Sequence, residues 1–197
     1  MEKELVIATF NRHKLEEIRD LLPALRLRLR PLSDFPGAAP AEEDGLTLEA
    51  NASKKALAAA RYTGRWALAD DTGLEVDALG GAPGVRSARF AGETAGAAEN
   101  NALLLAKLSG LPPEKRSARF ACVVALASPA GEVSLARGTL EGSIAAAPSG
   151  ANGFGYDPLF VVGAGPGTLA ELSAAGKNGL SHRARALEGL APLLAKL

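Results

Sequence analysis

Residues Glu4–Leu22 read E-L-V-I-A-T-F-N-R-H-K-L-E-E-I-R-D-L-L, and the hydrophobic period changes partway through them. Glu4–Thr9 is a short apolar run, the length and character of a buried strand. From Arg12 to Leu22 the apolar residues Leu15, Ile18 and Leu22 fall on one helical face. A strand passing straight into an amphipathic helix opens a βα unit. Leu25–Leu29 alternates Leu with Arg and predicts a second strand, and Asp34–Gly45, rich in Pro, Gly and acids, predicts a loop. Thr47–Arg61 predicts a second helix with Thr47 as N-cap, and Trp66–Asp70 a strand. Gly80–Gly84 must turn, and Thr94–Leu108 predicts a third helix. Ser117–Ala127 and Gly131–Ala145 predict a hairpin joined near Pro129-Ala130-Gly131. After the glycine-rich loop Gly150–Pro158, Ser181–Leu194 predicts a last helix with Ala184, Leu187, Leu190 and Leu194 inward and its final turn disturbed by Pro192. A βαβα order followed by a hairpin points to an α/β fold with a mixed sheet.

The 197 residues suit one domain, of two lobes at most, and 47% hydrophobic content supports a substantial core. Basic and acidic side chains balance at 22 each, so no overall charge points to nucleic acid or an anionic membrane as partner. The single Cys122 lies in the apolar run F-A-C-V-V-A-L and reads as a buried thiol. No run reaches membrane-spanning length, and the apolar part of the N-terminus is too short for a signal peptide, so the expected compartment is the cytoplasm.

Chemistry concentrates in four places. In Ala67–Gly73, A-L-A-D-D-T-G, an apolar run ends in two carboxylates, Asp70 and Asp71. Adjacent strand residues point to opposite faces, so at most one of them faces a given cleft. Such a strand end suits a hydrated Mg2+ or an oriented water, though by itself it reads equally as a polar turn cap. Glu42-Glu43-Asp44 would join Asp71 in a hard-oxygen site, or stand alone as a solvated acidic loop. Arg12, His13 and Lys14 open one predicted helix, and His182 and Arg183, with Lys177 upstream, open another. Cations at a helix start oppose the macrodipole, so both starts become sensible if an anionic ligand sits there. Finally, Gly153-Phe154-Gly155-Tyr156-Asp157 combines close backbone approach, an aromatic face for a base and a carboxylate for ring N–H groups.

Together these stretches resemble the inosine triphosphate pyrophosphatase family, which hydrolyses non-standard purine nucleoside triphosphates. The resemblance runs from Thr9 to about Leu187. It rests on T-F-N-R-H-K, E-E-D-G-L-T, N-A-S-K-K-A, A-D-D-T-G-L-E-V-D-A-L-G-G-A-P-G-V-R-S-A-R-F, G-F-G-Y-D-P-L-F and K-N-G-L-S-H-R-A-R-A-L, in that order. It implies a single catalytic domain over residues 1–197, with a mixed curved central sheet flanked by helices and two lobes around a substrate cleft. It implies Mg2+ as cofactor, a purine nucleoside triphosphate as substrate, and a homodimer.

Residue by residue, the resemblance assigns Thr9, Asn11 and Lys14 to the triphosphate, with Phe10, Arg12 and His13 in the same substrate-binding segment, and Lys55 as a second phosphate lysine. Asp71 is implied as general base and metal ligand, Glu42 as the second metal ligand with Glu43 adjacent in register, and Thr72 as a substrate contact. Phe154 is implied to stack on the base beside Gly155 and Tyr156, with Asp157, Lys177, His182 and Arg183 contacting a 6-oxo purine. Two departures stand out: Phe10 where many relatives have a small residue, and Ala50 where relatives often have Glu before Asn51. Two rival readings stay open, a pyrophosphatase of modified pyrimidine nucleotides and a non-hydrolysing nucleotide sensor.

Overall fold

β1 (Lys3–Ile7), α1 (Arg12–Leu21) and β2 (Leu27–Pro31) form a βαβ unit, with β1 parallel to β2 and also to β3 (Trp66–Val76). The structure is a computed structural model that describes residues 3–22, 27–163, 165 and 167–197; the first part of the expected Leu25–Leu29 strand lies outside them. The helix α2 (Leu48–Thr63) connects β2 to β3. Thr47 caps it by accepting from Ala50 N at 3.1 Å, and Gly64 ends it in the left-handed conformation, φ 64°. Its buried face is small, Ala52, Ala56, Ala59 and Ala60, and Asn51 is buried beside them. Then follow β4 (Pro83–Gly84), α3 (Ala97–Lys107), β5 (Ser117–Ala127), β6 (Val133–Ile144), β7 (Phe160–Val162), α4 (Ala174–Asn178) and α5 (His182–Leu194). The sheet order is β2-β1-β3-β5-β6-β7, with β4 on β3, and the pairs β3–β4 and β6–β7 are antiparallel. This is the expected mixed α/β sheet with flanking helices.

The chain divides into two units, each with its own core. The first comprises residues 1–71, 122–138 and 183–197, and packs Leu5, Ile7, Ile18, Leu68, Val124, Leu187 and Leu190 together. The second comprises residues 72–121 and 139–182, and packs Leu74, Val76, Leu104, Phe120, Tyr156 and Phe160. Burying each of these large side chains contributes about 1.5–3 kcal/mol, so each unit has a core in its own right. Cys122 is buried, as expected, and forms no disulfide among the described residues.

Three expectations change. β3 does not end at Asp70 but runs on to Val76, so Asp70 and Asp71 lie mid-strand. Alternation resumes past the acids, with Leu74 and Val76 buried and Glu75 between them half-buried, which supplies the apolar contacts that extend the strand. In α5 the inward residues are Ala186, Leu187, Leu190 and Leu194, and Ala184 is only half-buried. Pro192 is exposed and the helix continues past it to Leu194.

Candidate functional site

On the first unit, the loop Thr9–Asn11 leads from β1 into α1. Asn11 caps the helix, its Oδ1 accepting from His13 N at 3.0 Å and Lys14 N at 3.3 Å. This turn places the Lys14 ammonium 3.0 Å from Asp70 Oδ2. Arg183, at the start of α5, is fully buried and donates to the same oxygen from Nη2 at 3.0 Å and Nε at 3.3 Å; its Nη1 donates to Glu17. Asp70 thus faces a cation from each of the two helix starts, and Glu17 a second one at α5. Where the resemblance implied a purine contact, the Arg183 guanidinium is engaged with the buried Asp70 and the half-buried Glu17.

Burial alone would raise the Asp70 carboxyl. Lys14, Arg183 and Lys55 outweigh it and hold Asp70 far below the usual carboxylate range. The same carboxylates keep Arg183 charged despite its burial.

Asp71, one residue on, has different company. Asn51 Nδ2 donates to its Oδ2 at 3.1 Å, and Lys55 Nζ lies 3.4 Å from its Oδ1. Asn51 and Lys55 are four residues apart on α2 and share one helical face. Lys55 also donates to Glu43 Oε1 at 2.6 Å. Asn51 Oδ1 accepts from Gly45 N at 2.8 Å, which fastens the acidic loop to the helix. A Cβ at Gly45 would meet that oxygen at 2.5 Å, so the loop reaches Asn51 only as glycine. Burial pushes the Asp71 carboxyl above its usual value, Glu43 adds to the rise, and Lys55, Lys14 and the Asn51 hydrogen bond offset only part of it. Lys55 is held cationic against its own burial by Asp71, Asp70 and Glu43.

Of the two glutamates, Glu43 is the one in this array. Glu42 is exposed, its carboxylate 3.9 Å from Lys54. Glu17, Glu43, Asp70 and Asp71 thus meet Lys14, Lys55 and Arg183 in one array, in which Asp71 and Glu43 share the Lys55 ammonium. Among the described residues no group of three or more His, Cys, Asp or Glu side chains lies close enough to hold a metal by itself. Two carboxylates of an all-oxygen set do fit Mg2+, which takes few protein ligands and completes its shell with phosphate oxygens and water.

A cavity of about 320 Å3 is lined in part by Thr9, Phe10, Asn11 and Arg12, along the start of α1. The exposed Phe10 is among the residues lining that cavity. Arg12 pairs with Glu16 on the helix surface, and His13 is exposed.

On the second unit, Asp157 is buried and its Oδ2 accepts from Lys177 Nζ at 2.6 Å and from Phe154 N at 2.8 Å. Gly153, φ 73°, makes this fold-back possible, since a Cβ there would meet Asp157 Oδ2 at 2.1 Å. The Lys177 ammonium also lies 4.5 Å from the centroid of the half-buried Phe154 ring. The neighbouring expectations divide. Tyr156 is a core residue whose hydroxyl donates to Ser87 O at 2.9 Å, and burial pushes its phenol above the usual range. His182 stacks on Phe120, ring centroids 4.8 Å apart and 17° from parallel. Thr72, the first residue of this unit, is half-buried. Sequence reading missed the role of Asn51 in the Asp71 array, for which the Asn51–Lys55 spacing was the available signal, and it left the register between Glu42 and Glu43 open.

The Ham1 family model matches residues 5–193. A dITP/XTP pyrophosphatase of Desulforamulus reducens is 50% identical over 194 residues, covering 98% of this chain and 96% of the relative. One of Geobacter sulfurreducens, under the same name, is 52% identical over 183 residues, covering 93% and 92%. Among solved structures, a HAM1 protein from Coxiella burnetii superposes with a TM-score of 0.88 at 43% identity, covering 99% of this chain and all of that one. The Ham1 protein of Staphylococcus aureus gives 0.87 at 39% identity, covering 98% and 99%.

Proposed function

This chain belongs to the Ham1 family, and from that premise we propose that it hydrolyses non-standard purine nucleoside triphosphates (dITP, ITP and XTP) to the monophosphate and pyrophosphate. Relatives at about half identity over nearly the full length carry the name dITP/XTP pyrophosphatase. The observation that carries the mechanism is Asp71: a buried carboxylate lifted above its usual value and oriented by Asn51 and Lys55. Such a group accepts a proton from water more readily than an ordinary carboxylate does.

Asp71 takes a proton from the attacking water, whose oxygen bonds to the α-phosphorus. The bond from that phosphorus to the oxygen bridging to the β-phosphate breaks, and pyrophosphate leaves with the electron pair. Lys14 and Lys55 offset the charge gathering on the β- and γ-phosphates, which makes pyrophosphate a better leaving group. The Thr9 hydroxyl and the Asn11 side-chain amide, at the start of α1, donate to phosphate oxygens. When bound, Mg2+ supplies further charge neutralisation there, and Asp71 and Glu43 would hold it, Glu43 taking the place the sequence assigned to Glu42.

Phe154 stacks on the base, and Lys177 with Asp157 and His182 reads the 6-oxo face. Lys177 carries only donors, so it pairs with O6 and leaves the 6-amino group of adenine facing a like group. Among the described residues no helix is long and apolar enough to cross a membrane, and we place the protein in the cytoplasm as a homodimer.

Pyrophosphate release from ITP, XTP, GTP, ATP and dTTP, with and without Mg2+, tests this reading. It expects strong Mg2+-dependent release from ITP and XTP and little from ATP. Equal release from all five discards the base-reading residues, and tight nucleotide binding without release restores the sensor reading.

A further inference from the structure

We infer that Asn101, on α3, is a positioning residue for base recognition: its amide holds the Gly155 carbonyl and so sets where the Phe154 ring stands. Nδ2 of Asn101 donates to Gly155 O at 3.1 Å, across 54 residues of chain. Gly155 has φ 63°, a left-handed conformation that aims its carbonyl out of the turn. One residue earlier, the Phe154 N–H is bonded to Asp157 Oδ2 at 2.8 Å. The Phe154–Gly155 pair therefore sits between two fastened peptide groups, the one before Phe154 held by Asp157 and the one after Gly155 held by Asn101. Its neighbour Asn100 does another job, bonding Ala91 N at 2.8 Å and Ala88 O at 3.1 Å.

The second observation is the other end of the same amide. Asn101 Oδ1 is buried and has no hydrogen-bond partner among the described residues. A buried acceptor left unpaired lowers stability. After Ala102, α3 continues with Leu103, Leu104 and Leu105, and a leucine at 101 would fill similar space without that penalty at Oδ1. A polar side chain that weakens the fold at one atom and fastens a ligand loop with the other fits positioning better than packing.

The inference rests on the base-stacking role proposed for Phe154, and its test has an arm independent of turnover. Amide hydrogen exchange across Gly153–Asp157 is compared in wild type, Asn101→Leu and Asn101→Asp, together with the thermal midpoint and the KM and kcat for ITP. Loss of the hydrogen bond is expected to speed exchange at this turn by about tenfold. KM for ITP should rise about five- to tenfold with kcat within about twofold, since the ring binds the base and does no chemistry. The leucine variant loses the Gly155 hydrogen bond but also the unpaired Oδ1, so its thermal midpoint should stay near that of wild type. Asn101→Asp, which keeps the size and loses the N–H, should show the same KM rise, and it carries the test if the leucine variant does not fold. Unchanged exchange overturns the inference, as does a lowered midpoint with falling kcat and constant KM, the pattern of a structural prop. A wild-type protein that does not hydrolyse ITP overturns the purine reading instead, and the exchange arm still decides whether Asn101 holds the turn.

Discussion

Asp70 and Asp71 are consecutive residues of one strand, and the two faces of β3 give them opposite surroundings. On one face Asp70 meets Lys14 and Arg183, both within 3.0 Å, and stays ionised far below the usual range. On the other, Asp71 has an uncharged amide donor and one ammonium that it shares with Glu43, and burial lifts its carboxyl. Chemistry needs a carboxylate that gains a proton readily, so the well-satisfied acid is scaffold and the under-compensated one is the reactive candidate. Two identical side chains are sorted by environment alone.

The largest expected effect breaks the pair on the reactive side. Asp71→Asn should lower ITP turnover by roughly 10³-fold, the span of a lost general base, with circular dichroism and thermal midpoint near wild type. A variant that keeps most of its turnover removes Asp71 from the mechanism. The matching change on the other face, Asp70→Asn, strands Lys14 and Arg183 in a buried setting and should reduce stability by about 3–5 kcal/mol in urea unfolding. A loss under about 1 kcal/mol would mean that the Asp70 network is not the scaffold described.

Acidification sharpens the contrast. The carboxyl of Asp70 is depressed in the folded state, so its stabilisation is present above the ordinary value of 3.8 and is lost as pH falls below it. The stability gap between wild type and Asp70→Asn should therefore be full near neutrality and narrow below that value. Asp71 is raised, so its favourable contribution is present below 3.8 and is lost as pH rises through its folded value. Asp71→Asn should accordingly lose no stability on going from acid to neutral pH relative to wild type. Unfolding free energies across that range check both signs.

Lys55→Met removes the cation shared by Asp71 and Glu43. It should lift Asp71 further, move the acid limb of kcat/KM upward, and lower kcat by about 10²-fold as a charge-stabilising group is lost. Smallest of the set, Asn51→Ala should shift the same limb upward by less and destabilise by about 1 kcal/mol.

Much of this contrast was hidden in the sequence for a physical reason. The partners of Asp70 stand 56 and 113 residues away along the chain, at Lys14 and Arg183, and no local pattern announces them. Without them, two acids followed by Thr-Gly resemble the end of a strand, which is why β3 was read as stopping at Asp70. The cationic starts of α1 and α5 stand out in the sequence as a charge anomaly, but the internal carboxylates that face Lys14 and Arg183 do not. What local chemistry dictates was legible: the βαβ start, the Thr47 cap, the β5–β6 hairpin, and the acid, lysine and aromatic blocks that mark the family. β7 escaped because three residues, Phe160–Val162, carry no period. The choice of Glu43 over Glu42 depends on which side chain the loop turns toward Lys55, a matter of tertiary geometry.

The most direct measurement is a carboxyl 13C titration of the folded protein labelled at aspartate, with Asp70 and Asp71 assigned through their Asn variants. Asp70 is expected to remain ionised to the acid limit of the folded state, while Asp71 titrates above the ordinary value of 3.8. Two resonances that titrate together near that value, or an Asp70 that protonates before Asp71, would contradict the division of labour between the two faces of β3.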